Sequence, residues 1–254
     1  MAKSQHIKEW IFGLHAVEAV LQQRPEAVLT LWVQTDRDDG RLGKLIKLAS
    51  TFGVSIEKVH RSQLEKVLPL DARHQGVAAQ TKGLETSSEQ DLDVIVEKAG
   101  DSLLLLVLDG VQDPHNLGAC IRTANASGAH AVIVPKDNAT GLTPVARKVA
   151  SGAAERTPFI QVTNLSRTLK SLQTLGVWIY GADGDAEQNI YVMDFKRPVA
   201  LVLGAEGTGM RRLTRESCDE LVAIPMYGSV ESLNVSVAAG VCLYAVVQAR
   251  INKS

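Results

Sequence analysis

Most of the residues able to do chemistry lie in three polar loops, each following a run of apolar residues. In the first, "DGVQDPHNLGACIR", the Asn116 amide and the Arg122 guanidinium flank the start of a helical stretch. Their separation is about one and two-thirds turns at about 3.6 residues per turn, so the two need not share a face and the loop must bring them together. A guanidinium, which stays charged in proteins, is a poor free base and suits gripping a carboxylate or a phosphate. Asn116 is equally suited to cap the helix, with Pro114 fixing the backbone. In the second loop, "LVLGAEGTGM", Glu206 sits among Gly204, Gly207 and Gly209. Glycines let a backbone approach a ligand closely, and the carboxylate is either part of a site or a solvated loop charge. In the third, "IPMYGSVESLNVSVAAG", Ser232 and Asn234 stand at the mouth of a nearly all-apolar helix, where a cap is the plainer explanation.

Other chemistries find little support. The glycines do not follow the G-x-G-x-x-G order and no acidic ribose hook follows, which counts against a nucleotide-dependent dehydrogenase. Ser229 and Ser232 lack the G-x-S-x-G setting of a hydrolase nucleophile. The six histidines form no metal-binding pair, so no metal is expected. His115 reads as a turn residue, and His15 and His74 as surface or capping groups. Cys120, Cys218 and Cys242 form no C-x-x-C pair and read as small apolar residues.

The elements that must position these loops follow from apolar patterning. From Ser102 onward, short apolar runs at 103–109, 131–135, 177–182, 199–204 and 221–225 alternate with helical stretches near 117–127, 145–151, 166–174, 211–217 and 234–248. That alternation predicts an α/β domain with a parallel sheet covered on both faces, and such sheets bind ligands at the carboxyl ends of their strands. In front, residues 1–82 read as a compact α/β module: strands at 10–12, 28–33 and 54–59, helices over 13–24 and 41–51, a short helix from Ser62 with Glu65 completing a capping box, and a last strand after Gly76. Residues 1–82 carry a net charge of +3, residues 83–101 of −5 and residues 102–254 of +1. The acidic stretch 83–101 therefore reads as a solvated connector between two domains. No apolar run is long enough to span a bilayer and no secretory signal opens the chain, so a cytoplasmic protein without membrane contact is expected.

In this order and spacing, "DPHNLGACIRTA", "LVLGAEGTGMRRL" and "IPMYGSVESLNVSVAAG" resemble the SPOUT superfamily, and within it the TrmH-type (SpoU) RNA ribose methyltransferases. "GLHAVEAVL" and "HQGVAA" in front and "KVASGAAE" in the middle extend the likeness to the whole chain. It looks like those members that methylate a guanosine ribose in the P loop of 23S ribosomal RNA. Methylation of another ribosomal or transfer RNA nucleotide, or a non-catalytic role in ribosome assembly, are the alternatives. The resemblance implies a deep trefoil knot in the C-terminal domain, an exception to the unknotted rule, a ribosomal-protein-like RNA-binding domain in front, and a homodimer with the active site shared across its interface. It implies S-adenosylmethionine as methyl donor, held mostly by backbone at Gly204, Ile224, Met226 and Leu233. Arg122 would be the central catalytic residue, gripping the adjacent phosphate and stabilising the developing alkoxide, or acting as a neutral base. Asn116, Glu206, Ser232 and Asn234 would orient Arg122 and the ribose, with Glu206 pairing the guanidinium.

Overall fold

A strand reading LLLVLD has no polar face, so it is stable only where both faces are covered. In the computed structural model, which describes residues 8–37, 40–70, 72–82 and 89–251, that strand lies inside a parallel sheet. The front of the chain runs β1 (Lys8–Phe12), α1 (Leu14–Gln23), β2 (Val28–Gln34), α2 (Gly40–Thr51), β3 (Ile56–Val59), α3 (Arg61–Val67) and β4 (Val77–Lys82). Then come α4 (Glu89–Ala99), β5 (Leu104–Asp109), α5 (Pro114–Ala126), β6 (Ala131–Pro135), α6 (Pro144–Val149), β7 (Phe159–Val162) and α7 (Leu165–Thr174). The chain closes with β8 (Trp178–Ala182), β9 (Gln188–Asn189), β10 (Val199–Gly204), α8 (Arg212–Glu216), β11 (Glu220–Ala223) and α9 (Val235–Ile251). Two units result: the described residues of Met1–Glu85 with Pro144–Arg156, and those of Thr86–Thr143 with Thr157–Ser254.

The second unit is built on a sheet in the order β7, β6, β5, β10, β8, β11, β9, with every pairing parallel. All of β5 is buried. Leu105 and Val107 pack with Ile133, Ile160 and Val202 under Leu92 and Val96 of α4 and Leu165, Leu169 and Leu172 of α7. The alternate residues Leu104, Leu106 and Leu108 are equally buried and point to the other face. Each such leucine contributes about 1.5–3 kcal/mol relative to exposure. Helix α9 packs on β10 and against α5, where Gly240 brings its backbone close to Thr123. The register of β10 on β5 sets Gly204 beside Asp109 at the carboxyl edge, so two of the polar loops leave the sheet from adjacent strands.

The first unit holds a sheet in the order β1, β4, β2, β3, with β4 antiparallel to β1 and β2, and β2 parallel to β3. Helices α1 and α2 cover one face through Val17, Val20, Leu21, Leu42 and Leu45. Leu64 of α3 packs with Phe12, Val59 and Ala78 on the other. The helix expected near 145–151 belongs to this unit rather than to the parallel sheet. Its Arg147 is buried and donates hydrogen bonds to Glu9 and Glu155.

Three expectations change. The capping box at Ser62 and Glu65 does not form: α3 begins at Arg61, the His60 N–H donates to Gln63 Oε1 at 3.0 Å, and Glu65 instead accepts from Arg61 at 2.7 Å. Of the acidic connector, residues 83–88 lie outside the described residues, while Glu89–Ala99 is helix α4, whose charges face out as Leu92 and Val96 enter the core. The strands β7 and β9 add two edges to the five parallel strands expected. Among the described residues no helix is long and apolar enough to cross a membrane.

Candidate active site

Helix α5 starts one turn earlier than a cap at Asn116 requires. Asp113 is the N-cap, its carboxylate accepting from the His115 N–H at 2.9 Å, with Pro114 in the first position. Asn116 therefore lies within the first turn, and its side chain turns to the other loops. Its Nδ2 donates to Glu206 Oε1 at 3.4 Å and its Oδ1 accepts from Asn234 Nδ2 at 3.0 Å. Asn234 also donates to Glu206, and the Val235 N–H reaches the same carboxylate oxygen at 3.2 Å. Meanwhile Asn234 Oδ1 accepts from the Ser236 N–H at 2.9 Å, so the residue caps α9 and serves the site at once. One carboxylate at a helix N-terminus, where negative charge is favoured, thus ties together the loops that follow β5, β10 and β11.

Two cavities open on either side of this junction. One, of about 410 Å³, is lined by Gly204, Ile224, Met226 and Leu233, with Ser232, Asp183, Asp185 and Glu231 around it. The other, of about 490 Å³, is lined by Asp109, Asn116, Asn138, Glu206 and Arg211 among others. Both sizes suit a small organic ligand, and Ala205, Glu206, Gly209 and Val235 line both. The glycine loop closes on itself: the Gly209 N–H donates to Ala205 O at 2.9 Å and the Gly209 carbonyl accepts from the Ala205 N–H at 3.2 Å. A Cβ at Gly204 would lie 2.0 Å from the Gly209 carbonyl carbon, so no other residue fits there. At the rim, burial works to raise the Asp183 carboxyl, but hydrogen bonds from Arg215 and the Asp185 N–H prevail and hold it below its usual range. Cys120, behind the junction on α5, is pushed up to about 12 by burial first and by the Glu206 charge second.

Of the nine residues singled out in the sequence, Asn116, Glu206 and Asn234 meet in one hydrogen-bonded group, and Gly204, Ile224, Met226 and Leu233 line one cavity. Ser232 is exposed on that cavity's wall and outside the hydrogen-bonded group. Arg122 is exposed, and the expected pair with Glu206 is not formed. The helical rotation between positions 116 and 122 carries the guanidinium to another face, and amide donors already occupy the Glu206 oxygen. Two residues escaped the sequence reading. Asp109, fully buried, accepts from the Arg211 N–H at 2.8 Å and from Arg211 Nε at 2.6 Å. The available signals were a leucine strand ending in an aspartate and an arginine pair straight after the glycine loop.

The model of the SpoU rRNA methylase family matches residues 103–244, and that of the RNA 2′-O ribose methyltransferase substrate-binding domain matches residues 10–87. The chain is 52% identical over 240 residues to a 23S rRNA (guanosine-2′-O-)-methyltransferase of Shewanella oneidensis, covering 94% of this chain and 97% of the relative. It is 51% identical to the enzyme of the same description from Haemophilus influenzae over 246 residues, covering 96% and 99%. In fold it is similar to the SpoU methyltransferase AviRb from Streptomyces viridochromogenes in complex with AdoMet, with a TM-score of 0.82 at 24% identity over 96% of this chain and 91% of that one. An AdoMet-bound rRNA methyltransferase from Sinorhizobium meliloti matches with a TM-score of 0.77 at 21% identity, covering 95% and 87%.

Proposed function

The chain belongs to the SpoU rRNA methylase family, and from that premise we propose that it transfers a methyl group from S-adenosylmethionine to the ribose 2′-hydroxyl of one guanosine in 23S ribosomal RNA, in its P loop. The observation that carries this reading is the meeting of three loops at Glu206, between two cavities that share a wall.

The smaller cavity fits the donor. Gly204 and the closed glycine loop leave backbone groups as its floor, Ile224, Met226 and Leu233 offer apolar cover for a purine, and ionised Asp183 faces a cation. Bound there, S-adenosylmethionine supplies an electrophilic methyl group on a sulfonium. The protein's task is to align a poorly acidic hydroxyl with that methyl and to ease proton loss. Asn116 and Asn234, locked by Glu206, hold the ribose side of the junction. Arg122, on the same helix as Asn116, grips the phosphate beside the acceptor and stabilises negative charge on the 2′-oxygen as its proton leaves. Ser232, on the wall of the donor cavity, helps to orient Arg122 and the ribose.

The front unit is the RNA grip. Its Arg61, Lys148 and Arg37 lie around His74, which burial first and Arg61 next hold below its usual pKa against the opposing charge of Glu65. Cations of this kind meet a phosphate backbone. The protein works as a cytoplasmic homodimer, which covers Val237 and Tyr244 of α9 and Tyr227 and Val230 just before it, all exposed apolar side chains in the single chain. We also infer the trefoil knot that the family likeness implies for this domain, a reading supported by a parallel sheet in which β10 lies between β5 and β8.

The test is transfer of tritium from labelled S-adenosylmethionine to a P-loop transcript of 23S RNA, with the position mapped by reverse transcription at low nucleotide concentration. One 2′-O-methyl on a single guanosine is expected. Label on transfer RNA alone, or none on either RNA, refutes the proposal.

A further inference from the structure

The larger cavity holds a charged pair that methyl transfer leaves unused. The Asp109 side chain is 0% exposed and that of Arg211 is 47% exposed. Asp109 accepts from the Arg211 backbone N–H at 2.8 Å and from Nε at 2.6 Å, and the Nε-side Nη nitrogen contacts the same carboxylate. A buried carboxylate is costly without such a partner, so the pair fixes the orientation of the guanidinium. A guanidinium is a planar fork of five N–H donors. Asp109 takes the Nε edge; the edge formed by the two Nη nitrogens has no partner among the described residues, and Arg211 lines the cavity that Asn116 and Glu206 also line.

The pair is neutral as a whole, so its attraction for a phosphate is weak, while its open edge is directional. Two parallel N–H donors match two adjacent neutral acceptors, which guanine presents at O6 and N7. Adenine places an amino donor beside N7, and pyrimidines lack the second acceptor. Unpaired RNA bases are read on such edges once they leave the stack, and a cavity of about 490 Å³ has room for a nucleoside. We propose that Arg211 is the residue that selects guanine at the acceptor nucleotide, reading O6 and N7, with Asp109 as its positioning residue. The inference rests on the methyl-transfer function proposed above and assigns the base reader for it.

The experiment compares methyl transfer to synthetic P-loop RNA carrying guanosine or 7-deazaguanosine at the acceptor position, the latter lacking N7. Loss of a bidentate contact corresponds to about a tenfold to hundredfold fall in kcat/KM for the wild-type enzyme. Arg211→Lys keeps a cation beside Asp109 but not the fork. Its discrimination between the two RNAs is expected to shrink below about threefold, with guanosine RNA falling to the level the wild type shows on the 7-deaza substrate. Binding of S-adenosylhomocysteine, followed by thermal shift, is expected to be unchanged and certifies the fold. If Arg211→Lys does not bind it, the charge-neutral double variant Asp109→Asn with Arg211→Gln takes its place in the same comparison. Indifference of the wild type to 7-deazaguanosine, or full discrimination retained in the folded variant, overturns the assignment of Arg211 alone. No transfer from the wild type to guanosine RNA overturns the methyl-transfer function with it.

Discussion

Arg122 and Glu206 show how differently two site residues can be held. Glu206 is fixed by three N–H donors, from the first turn of α5, the loop before α9 and the start of α9, whereas Arg122 is exposed and outside that group. A side chain so placed supports no packing, and exposed substitutions shift stability by about 0.5 kcal/mol or less. Arg122→Ala is therefore expected to melt with the wild type and bind S-adenosylhomocysteine normally, while kcat/KM on the RNA falls about 10²- to 10³-fold, the scale for loss of one group that stabilises transition-state charge. Near-normal turnover removes Arg122 from the mechanism. At this scale Asn116, Glu206 and Asn234 were legible only through the motifs that resemble the family, because a helix cap or a solvated loop charge explains each residue type as well. Whether Asn116 caps a helix or serves a site was not, since the same residue type does both; the backbone decided it by starting α5 at Pro114.

An element imposes its own demands on a residue. Because a Cβ at Gly204 would collide with backbone rather than with a movable side chain, Gly204→Ala must open the glycine loop. Loss of the thermal shift given by S-adenosylhomocysteine is expected, while Gly43→Ala, with nothing within 4 Å of its new methyl on α2, is expected to leave binding intact and add about 0.5–1 kcal/mol of stability. Retained donor binding in Gly204→Ala removes the loop from the donor site. Another element-level constraint is the turn before β6, where His130 Nδ1 accepts the Leu104 N–H at 3.2 Å. Burial lowers the His130 pKa, so the neutral form is favoured in the folded state. The unfolded chain then binds more protons as pH falls, and this contribution, complete above the unfolded value of about 6.5, disappears as pH passes down through the folded value. The melting temperature is expected to drop as pH falls below about 6.5, and His130→Asn, which keeps an acceptor without titrating, should flatten that limb. An equally steep acid limb in the variant counts against His130. His74 has the same sign, with burial again the first cause.

For the whole molecule, the division of the chain matters more than its length. The segment Pro144–Arg156 belongs with the front unit, and Arg147 and Glu155 are each 3% exposed there. Removing one member of a buried ion pair costs about 3–5 kcal/mol. Glu155→Ala should show that loss in urea denaturation, and a change within error means the pair is dispensable. Deleting residues 1–82 alone strips Glu9 from Arg147. A clean separation therefore also needs residues 144–156 replaced by a short Gly-Ser loop. That protein is expected to bind S-adenosylhomocysteine and to lose most of its RNA affinity; undiminished affinity refutes the division of labour between the units.

The apolar runs at 103–109, 131–135 and 199–204 determined a parallel sheet by themselves, because strands without a polar face must be covered on both sides. The polar loops after them determined where chemistry would lie, because such sheets present their carboxyl ends to ligands. What only the tertiary structure decided were relations between residues distant in sequence. Asp109 meets Arg211 because β5 and β10 are neighbours in register, and Arg147 meets Glu9, distant in sequence, because Pro144–Arg156 joins the front unit. Periodicity is a local property that reports which face a residue turns inward, whereas a buried charge is satisfied by whichever partner the strand order delivers, and that order is fixed by packing across the whole sheet.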